Sequence, residues 1–368
     1  MELVFFVKLF HSIWKIINMK VSESGFIFLI GTYSLGTDSK GVYSLQLNTQ
    51  SGTFLQPELV VETDNPSCLL YQASSEILYT VNELERGSVS VFKHQNKQFT
   101  LLQKVDVEGK YPCHLNLVNN NKHLGVANYA SGDVSFFSRE SSGKLDDKSL
   151  LKVNHTGTGA NVQRQEAPHA HWVGVTDNEY IYSVDLGADK IFTYTIDEAG
   201  QLDKIETAIQ LTPGDGPRHI EKHPSKNIIY LVNELSNKVS VLSQQSDGKF
   251  CEKQRIDLLP SDNKEHSQAA AIKLDKTANY LYVTNRGDNS ITTYSVQEDG
   301  NLKRVSNISS QGIWPRDLVV TDDNQFILVA NEHSSSINLF RIDQNTGEPI
   351  ATDQSVTISS PTNIILFS

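Results

Sequence analysis

A repeated block of about fifty residues restricts the fold of this chain more than any other feature of its sequence. Each copy reads as a strand, a polar turn, a second strand that ends in Asn or Asp, a short loop and a third strand. The six copies span residues 65–92, 111–137, 167–194, 216–242, 267–294 and 314–340. Their second strands end at Asn82, Asn128, Asp185, Asn233, Asn285 and Asn331, at intervals of 46 to 57 residues. Such a period is typical of β-propeller blades, and the alternation in ILYTVN and YLYVTN is that of strands.

A seventh unit is formed when the two ends of the chain are placed together. Residues 26–34 and 41–47 supply its outer strands, and residues 360–368 supply an inner one. Closure of this kind removes the exposed edges of an open sheet. We therefore predict an all-β fold: a seven-bladed β-propeller of four-stranded antiparallel blades, with the ring closed by pairing of the N- and C-terminal strands.

The first eighteen residues are apolar, but Lys8, His11 and Lys15 interrupt them before a membrane-spanning length is reached. No signal-peptide cleavage site is recognisable, and Met19 is an alternative initiator. A targeting segment and an overlong start both remain open. We interpret residues 1–20 as an N-terminal extension outside the fold and residues 21–368 as a single propeller domain.

The net charge of −11 and the absence of Lys/Arg runs argue against a nucleic-acid or membrane partner. The three cysteines are odd in number and lack CxxC spacing, which favours a reducing cytoplasm over a disulfide framework. We expect a small-molecule substrate, no cofactor, and a monomer or weak homodimer. No GxSxG, Walker-type or HExxH motif is present, which argues against a serine hydrolase, a nucleotide enzyme and a zinc protease.

Polar residues recur at equivalent positions where the first strand of each block begins and the second ends. Both positions lie at the same rim of a propeller channel, and functional residues collect at such rims. The first-strand positions hold Ser67, Cys68, Cys113, His114, His171, Arg218, His219, Arg316 and Asp317 among others. The position after the second strand holds Glu83, Tyr129, Glu234, Arg286 and Glu332 in five of the six blocks. These side chains are expected to converge on one mouth of the channel, whereas the Asn column is expected to be structural.

Five short segments in this order resemble the signature stretches of the lactonase family of seven-bladed propellers. They are APHAH (167–171), GPRH (216–219), VNEL (232–235), TNRG (284–287) and WPRD (314–317). That family includes bacterial propeller-type 6-phosphogluconolactonases and fungal carboxymuconate-lactonizing enzymes. The resemblance covers residues 26–368. It implies catalytic roles for His171, Arg218, Glu234 and Arg286, and hydrolysis of 6-phospho-D-glucono-1,5-lactone in the pentose phosphate pathway without a metal.

The chemistry of a lactonase agrees with these residue types. Opening a lactone needs a base for water, an acid for the leaving alkoxide and positive charge beside the carbonyl oxygen. His171 or Glu234 can transfer protons, and the arginines can bind an anion or the oxyanion. We expect substrate contacts from His169, His219, Arg316, Glu332 and Glu83.

Three alternatives remain at this point. His169 and His171 stand two apart, as metal ligands can, and His219 with Glu234 would complete a tetrahedral site. A carboxymuconate cyclase would use the same arginines for carboxylates and the same base for proton transfer. A noncatalytic protein-binding platform would instead need exposed apolar patches at the mouth.

Overall fold

The computed structural model describes residues 25–176, 180–197, 200–260 and 266–368. The prediction for residues 1–20 therefore lies outside the described residues. The strands of the first half are β1 (Gly25–Thr32), β2 (Gly41–Asn48), β3 (Thr53–Phe54), β4 (Glu58–Glu62), β5 (Leu69–Gln72), β6 (Ile77–Asn82), β7 (Ser88–Gln95), β8 (Gln98–Asp106), β9 (Pro112–Val118), β10 (His123–Asn128), β11 (Asp133–Ser138), β12 (Leu151–Asn154), β13 (Ala170–Val175) and β14 (Ile181–Asp185). Those of the second half are β15 (Lys190–Ile196), β16 (Leu202–Gln210), β17 (Pro217–Lys222), β18 (Ile228–Asn233), β19 (Lys238–Gln244), β20 (Phe250–Asp257), β21 (Gln268–Leu274), β22 (Tyr280–Arg286), β23 (Ser290–Val296), β24 (Leu302–Ser309), β25 (Pro315–Val320), β26 (Phe326–Asn331), β27 (Ser336–Ile342), β28 (Pro349–Thr357) and β29 (Pro361–Leu366).

These strands form seven antiparallel sheets, which confirms the predicted seven-bladed propeller. Blade 1 contains β29, β1, β2 and an outer edge divided between β3 and β4; blades 2 to 7 each take four consecutive strands from β5 onwards. The innermost strands contact one another in cyclic order, from β5 through β9, β13, β17, β21 and β25 to β29 and back to β5. Helical structure in the described residues is limited to one 3₁₀ turn at Asp147–Ser149. No helix in this part of the chain is long and apolar enough to span a bilayer.

The ring closes by pairing of the chain ends, as predicted. In blade 1, β29 pairs antiparallel with β1, so that Ile364 faces Ile30. Asp317 of the neighbouring blade secures this strand, since its Oδ2 accepts hydrogen bonds from Asn363 Nδ2 at 2.6 Å and from the Ile364 amide at 2.9 Å. The side chain of Asp317 therefore joins blade 7 to the last strand of the chain.

Tyrosines of the second strands link neighbouring blades. Tyr79, Tyr182, Tyr230 and Tyr282 are fully buried, and each donates from its hydroxyl to a glycine carbonyl in the next blade along the chain. For example, Tyr230 donates to Gly300 at 3.0 Å. Gly300 has a φ of 82°, so the turn favours glycine, and a Cβ there would displace the end of the Ile228 side chain. The same contact is thus repeated between successive sheets.

The residues that end the second strands are structural, as predicted. Asn82, Asn128, Asn233, Asn285 and Asn331 are fully buried and bond to Ser, Thr, Asp or Asn side chains around the following turn. Asp185 takes the equivalent place in blade 4, where its Oδ1 accepts from the amides of His169 and Ala188 at 2.8 Å. The Asn or Asp at the end of each second strand thus fixes the turn that follows. The next residue along the chain is therefore not needed for the turn and can take another role.

Candidate active site

Irregularities in the innermost strands decide which side chains enter the channel mouth. In blade 5, Pro217 pairs with Asn233 and His219 with Val232, so Arg218 is the extra residue of a β-bulge. The same shift isolates Cys113 in blade 3, His171 in blade 4 and Arg316 in blade 7. Bulges re-aim side chains and are frequent beside active sites. Four strands of the ring therefore each direct one extra side chain toward the same region.

Three of these bulged residues, Cys113, His171 and Arg316, line a cavity of about 340 Å³ at the predicted mouth, whereas Arg218 lies outside that lining and contacts Glu234. Its lining consists of Glu83, Cys113, Tyr129, Arg164, His171, Glu234, Gln268, Arg286 and Arg316. A volume of this size is within the range of small-molecule sites. A larger depression of about 620 Å³ lies beside blades 1 and 2, but it has neither His nor Arg in its lining. The charged cavity is therefore the candidate active site.

Glu234 is the centre of the positive side of this cavity. Its Oε2 lies 2.7 Å from Arg286 Nη2 and 3.3 Å from Arg218 Nε, and its Oε1 lies 2.8 Å from Arg164 Nη2. Burial opposes ionisation of Glu234, but the charges of Arg286, Arg218 and Arg164 outweigh it and hold the pKa far below its usual range. Glu234 is therefore a carboxylate that organises arginines.

Two of these arginines are fixed by the backbone of β21. Arg218 Nη1 donates to the Ala270 carbonyl at 2.8 Å, and Arg286 Nη2 donates to the Ala269 carbonyl at 3.0 Å. Burial and the nearby Arg286 lower the pKa of Arg218 to about 10, so it stays charged at neutral pH. Both guanidinium groups are thus held in place before any ligand binds.

A second charged group lies around Arg316. Its Nη1 donates to Glu332 Oε2 at 3.1 Å, and its Nη2 donates to the Tyr33 hydroxyl. Tyr33 in turn donates to Glu83 Oε1 at 2.9 Å, and Ser67 donates to Glu83 Oε2. Burial raises the pKa of Glu83 despite the charge of Arg316. This group has one cation for two carboxylates, whereas the Glu234 group has three cations for one.

His171 lines the cavity as an uncharged base. Burial and the charge of Arg218 hold its pKa well below the usual imidazole value. Its Nδ1 lies 3.8 Å from Cys113 Sγ, and burial raises the pKa of that thiol well above its usual range. His171 is therefore neutral near pH 7, and the adjacent cysteine is a thiol.

His219, His169 and Glu332 were predicted to contact substrate, but none of the three lines the cavity. Arg218, predicted to be catalytic, is also absent from the lining. His219 packs behind His171 with ring centroids 5.1 Å apart, and His114 follows at 5.3 Å. His169 precedes β13, stacks on Tyr129 at 4.6 Å, and has its ring nitrogens 2.9 Å from the Tyr129 carbonyl and 3.2 Å from Glu166. These contacts position neighbours of the cavity.

Arg164 was not foreseen in the sequence. It lies in the turn between β12 and β13, and its Nη2 also donates to the Tyr129 hydroxyl at 3.1 Å. The longest interval between blocks, from Asn128 to Asp185, includes this segment and was the one available signal. Tyr129 and Cys113 stood in the predicted columns without an assigned role, and Gln268 stood outside them.

The metal alternative requires a cluster of ligands. Over the described ranges, no group of three or more His, Cys, Asp or Glu side chains is arranged to hold a metal ion. The three cysteines are unpaired, as predicted. The charged lining also differs from the apolar mouth expected of a protein-binding platform.

Residues 27–366 match the family model described as "Lactonase, 7-bladed beta-propeller". The chain belongs to the lactonase family of seven-bladed β-propellers. Within this lactonase the matched region includes all strands from β2 to β29 and every residue that lines the cavity.

Relatives of this chain bear the names of lactonases. The chain is 33% identical to the 6-phosphogluconolactonase of Bacillus subtilis over 342 residues, which cover 91% of this chain and 97% of that protein. It is 29% identical to the 6-phosphogluconolactonase of Formosa agariphila, with 92% and 99% of the two chains covered. Among solved structures, the periplasmic gluconolactonase of Pseudomonas aeruginosa superposes with a TM-score of 0.88 at 28% identity, covering 94% and 99%. These similarities support a lactone hydrolase with a small-molecule lactone substrate.

Proposed function

We propose that this lactonase hydrolyses 6-phospho-D-glucono-1,5-lactone to 6-phosphogluconate, the second step of the oxidative pentose phosphate pathway. The observation that best supports the proposal is the excess of three arginines over one carboxylate around Glu234. Such an excess favours an anionic substrate and stabilises a developing oxyanion. The relatives named 6-phosphogluconolactonase support the same substrate. Three unpaired cysteines support a reducing, cytoplasmic location.

His171 is the proposed base. Its imidazole is neutral and lines the cavity, whereas both oxygens of Glu234 face arginines. In the proposed reaction His171 takes a proton from water as the water oxygen bonds to the lactone carbonyl carbon. The bond from that carbon to the ring oxygen then breaks, and the ring oxygen receives from His171 the proton that His171 took from water.

Arg286, which lines the cavity, is the proposed group for the carbonyl oxygen, and Arg218, bound to the same Glu234, adds positive charge beside it. Backbone carbonyls and Glu234 already hold them in place, so little reorganisation accompanies the rise of negative charge on that oxygen. Glu234 acts by holding these arginines. On the other side, Glu83 offers an acceptor and Arg316 a donor for sugar hydroxyl groups, and Glu332 holds Arg316 in place.

The test is hydrolysis of freshly generated 6-phosphogluconolactone, corrected for its spontaneous opening. We expect wild-type activity to survive a chelator, and His171→Ala or Arg218→Ala to lower kcat/KM by about 100-fold or more. Arg86→Ala is the control, because that side chain is 89% exposed and pairs with Asp106 away from the cavity. Full activity in both site variants would remove the catalytic assignment. If the protein turns over carboxymuconate, followed by ultraviolet absorbance, and does not hydrolyse the lactone, a cyclase activity would replace the proposed lactonase activity.

A further inference from the structure

We propose that Arg164 recognises the phosphate of the substrate, and that in binding it the guanidinium leaves Glu234. This inference rests on the proposed function and names the residue that distinguishes a phosphorylated lactone from an unphosphorylated one. It is carried by three features of Arg164: how it is held, how exposed it is, and which charges surround it.

The first feature is how Arg164 is held. Arg218 and Arg286 are bound by backbone carbonyls as well as by Glu234. Arg164, in contrast, forms its side-chain hydrogen bonds through Nη2 alone, to Glu234 Oε1 at 2.8 Å and to the Tyr129 hydroxyl at 3.1 Å. Within the described part of the chain, no further side-chain hydrogen bond of Arg164 is present. Its guanidinium therefore has donors available for an incoming anion.

The second feature is its exposure on a rigid base. The side chain of Arg164 is 32% exposed, against 4% for Arg218 and 7% for Arg286. Its neighbour Gln165 is fully buried and donates to the Leu186 carbonyl at 2.8 Å and to Asp189 Oδ1 at 2.7 Å. The turn is thus anchored one residue from Arg164, while the guanidinium itself is open to a ligand entering from solvent.

The third feature is the distribution of charge. The Arg164 side of the cavity has three arginines around Glu234, whereas the Arg316 side has two carboxylates around one arginine. A phosphate is attracted to the first side and repelled by the second. Glu166, on the same turn as Arg164, is paired with His169.

Exchange of partners follows from these features. Glu234 retains Arg286 at 2.7 Å and Arg218 at 3.3 Å when Arg164 leaves, so its carboxylate remains compensated. A phosphate dianion can accept two parallel hydrogen bonds from the planar guanidinium of Arg164, whereas Glu234 Oε1 accepts only one. The phosphate thereby replaces one carboxylate oxygen as the partner of the same guanidinium.

The experiment compares two substrates, 6-phosphogluconolactone and glucono-1,5-lactone, in wild type, Arg164→Gln and Arg164→Lys. We expect Arg164→Gln to lower kcat/KM for the phosphorylated lactone by about 30-fold or more, mainly through KM, and to affect the unphosphorylated lactone much less. Arg164→Lys should restore part of the difference, since it keeps the charge but loses the planar fork. Arg86→Gln is the exposed control.

Equal losses on both lactones, or an unchanged ratio between them, would overturn the role of Arg164 while leaving the lactonase activity in place. Absence of wild-type activity on both lactones would instead remove the proposed function. In that case calorimetric binding of 6-phosphogluconate and gluconate decides the inference. Selective weakening of the phosphorylated acid in Arg164→Gln supports it, and unchanged binding rejects it.

Discussion

Arg286 Nη2 lies 2.7 Å from Glu234 Oε2, and the two side chains are 7% and 2% exposed. Removing one member of such a buried pair leaves the other charge without compensation, and here three arginines share the single carboxylate. We expect Glu234→Gln to lower the free energy of unfolding by about 3–5 kcal/mol and to abolish most lactone hydrolysis. Urea denaturation at pH 7 measures the first effect, with Glu252→Gln on the exposed face of β20 as the control. An unchanged midpoint would show that the arginines do not depend on this carboxylate.

Ring closure gives a second prediction. Asp317→Ala leaves Asn363 Nδ2 and the Ile364 amide without their acceptor, which should cost about 1–3 kcal/mol of unfolding free energy. Deletion of residues 360–368 removes β29 and should prevent cooperative folding. Thermal and urea unfolding test both changes. Asp322→Ala, in the exposed turn of the same blade, should change stability by less than about 0.5 kcal/mol. A stable deletion variant would contradict the closure by chain ends.

The contact between blades 5 and 6 gives a third prediction. Tyr230→Phe removes the hydroxyl that donates to Gly300 and leaves that carbonyl unpartnered, at a cost of about 1–2 kcal/mol. The matched control is Tyr280→Phe, whose hydroxyl bonds at the exposed surface to Asn345. If both variants unfold at the same denaturant concentration, the buried tyrosine bonds are not what joins the blades.

The histidines behind the cavity make stability depend on pH. Burial lowers the pKa of His114 to about 3, whereas an unfolded histidine titrates near 6.5. Below pH 6.5 the unfolded chain therefore binds a proton that the folded chain does not, so stability falls as pH falls. The loss attributable to His114 is about 1.4 kcal/mol per pH unit. His114→Gln should lose this slope relative to wild type between pH 6.5 and 5, and parallel curves would contradict the assignment.

The pH dependence of catalysis follows from His171. Burial and Arg218 hold its pKa below the usual imidazole value, so the base remains unprotonated in mildly acidic solution. We expect the acid limb of kcat/KM to lie below pH 6.5 and to move to higher pH in Arg218→Gln, whose residual activity suffices for a profile with excess enzyme. Arg86→Gln should leave the limb in place. If the acid limb of kcat/KM does not move in Arg218→Gln, that limb reports the titration of a group other than His171.

Much of the fold could be predicted because its determinants are local. Strand alternation, the polar turns and the Asn or Asp at the end of each second strand recur at nearly constant spacing, and each copy specifies one sheet. The pairing of residues 26–34 with residues 360–368 followed because a ring leaves no edge unpaired. His171, Arg218, Glu234 and Arg286 were predicted to converge because their positions in the repeat lie at the same rim of the channel, and the structure brings them together; their catalytic roles remain a proposal.

The sequence by itself determined the seven-sheet ring and the end of it at which the charged side chains collect. The tertiary structure alone decided which of them face the cavity, because a β-bulge depends on register with the neighbouring strand. It therefore placed His171 in the lining of the cavity, Arg218 beside Glu234 outside that lining, and His219 against His171. Only the tertiary structure brought Arg164 to Glu234, since that contact joins residues seventy positions apart, one in the turn before blade 4 and one in blade 5.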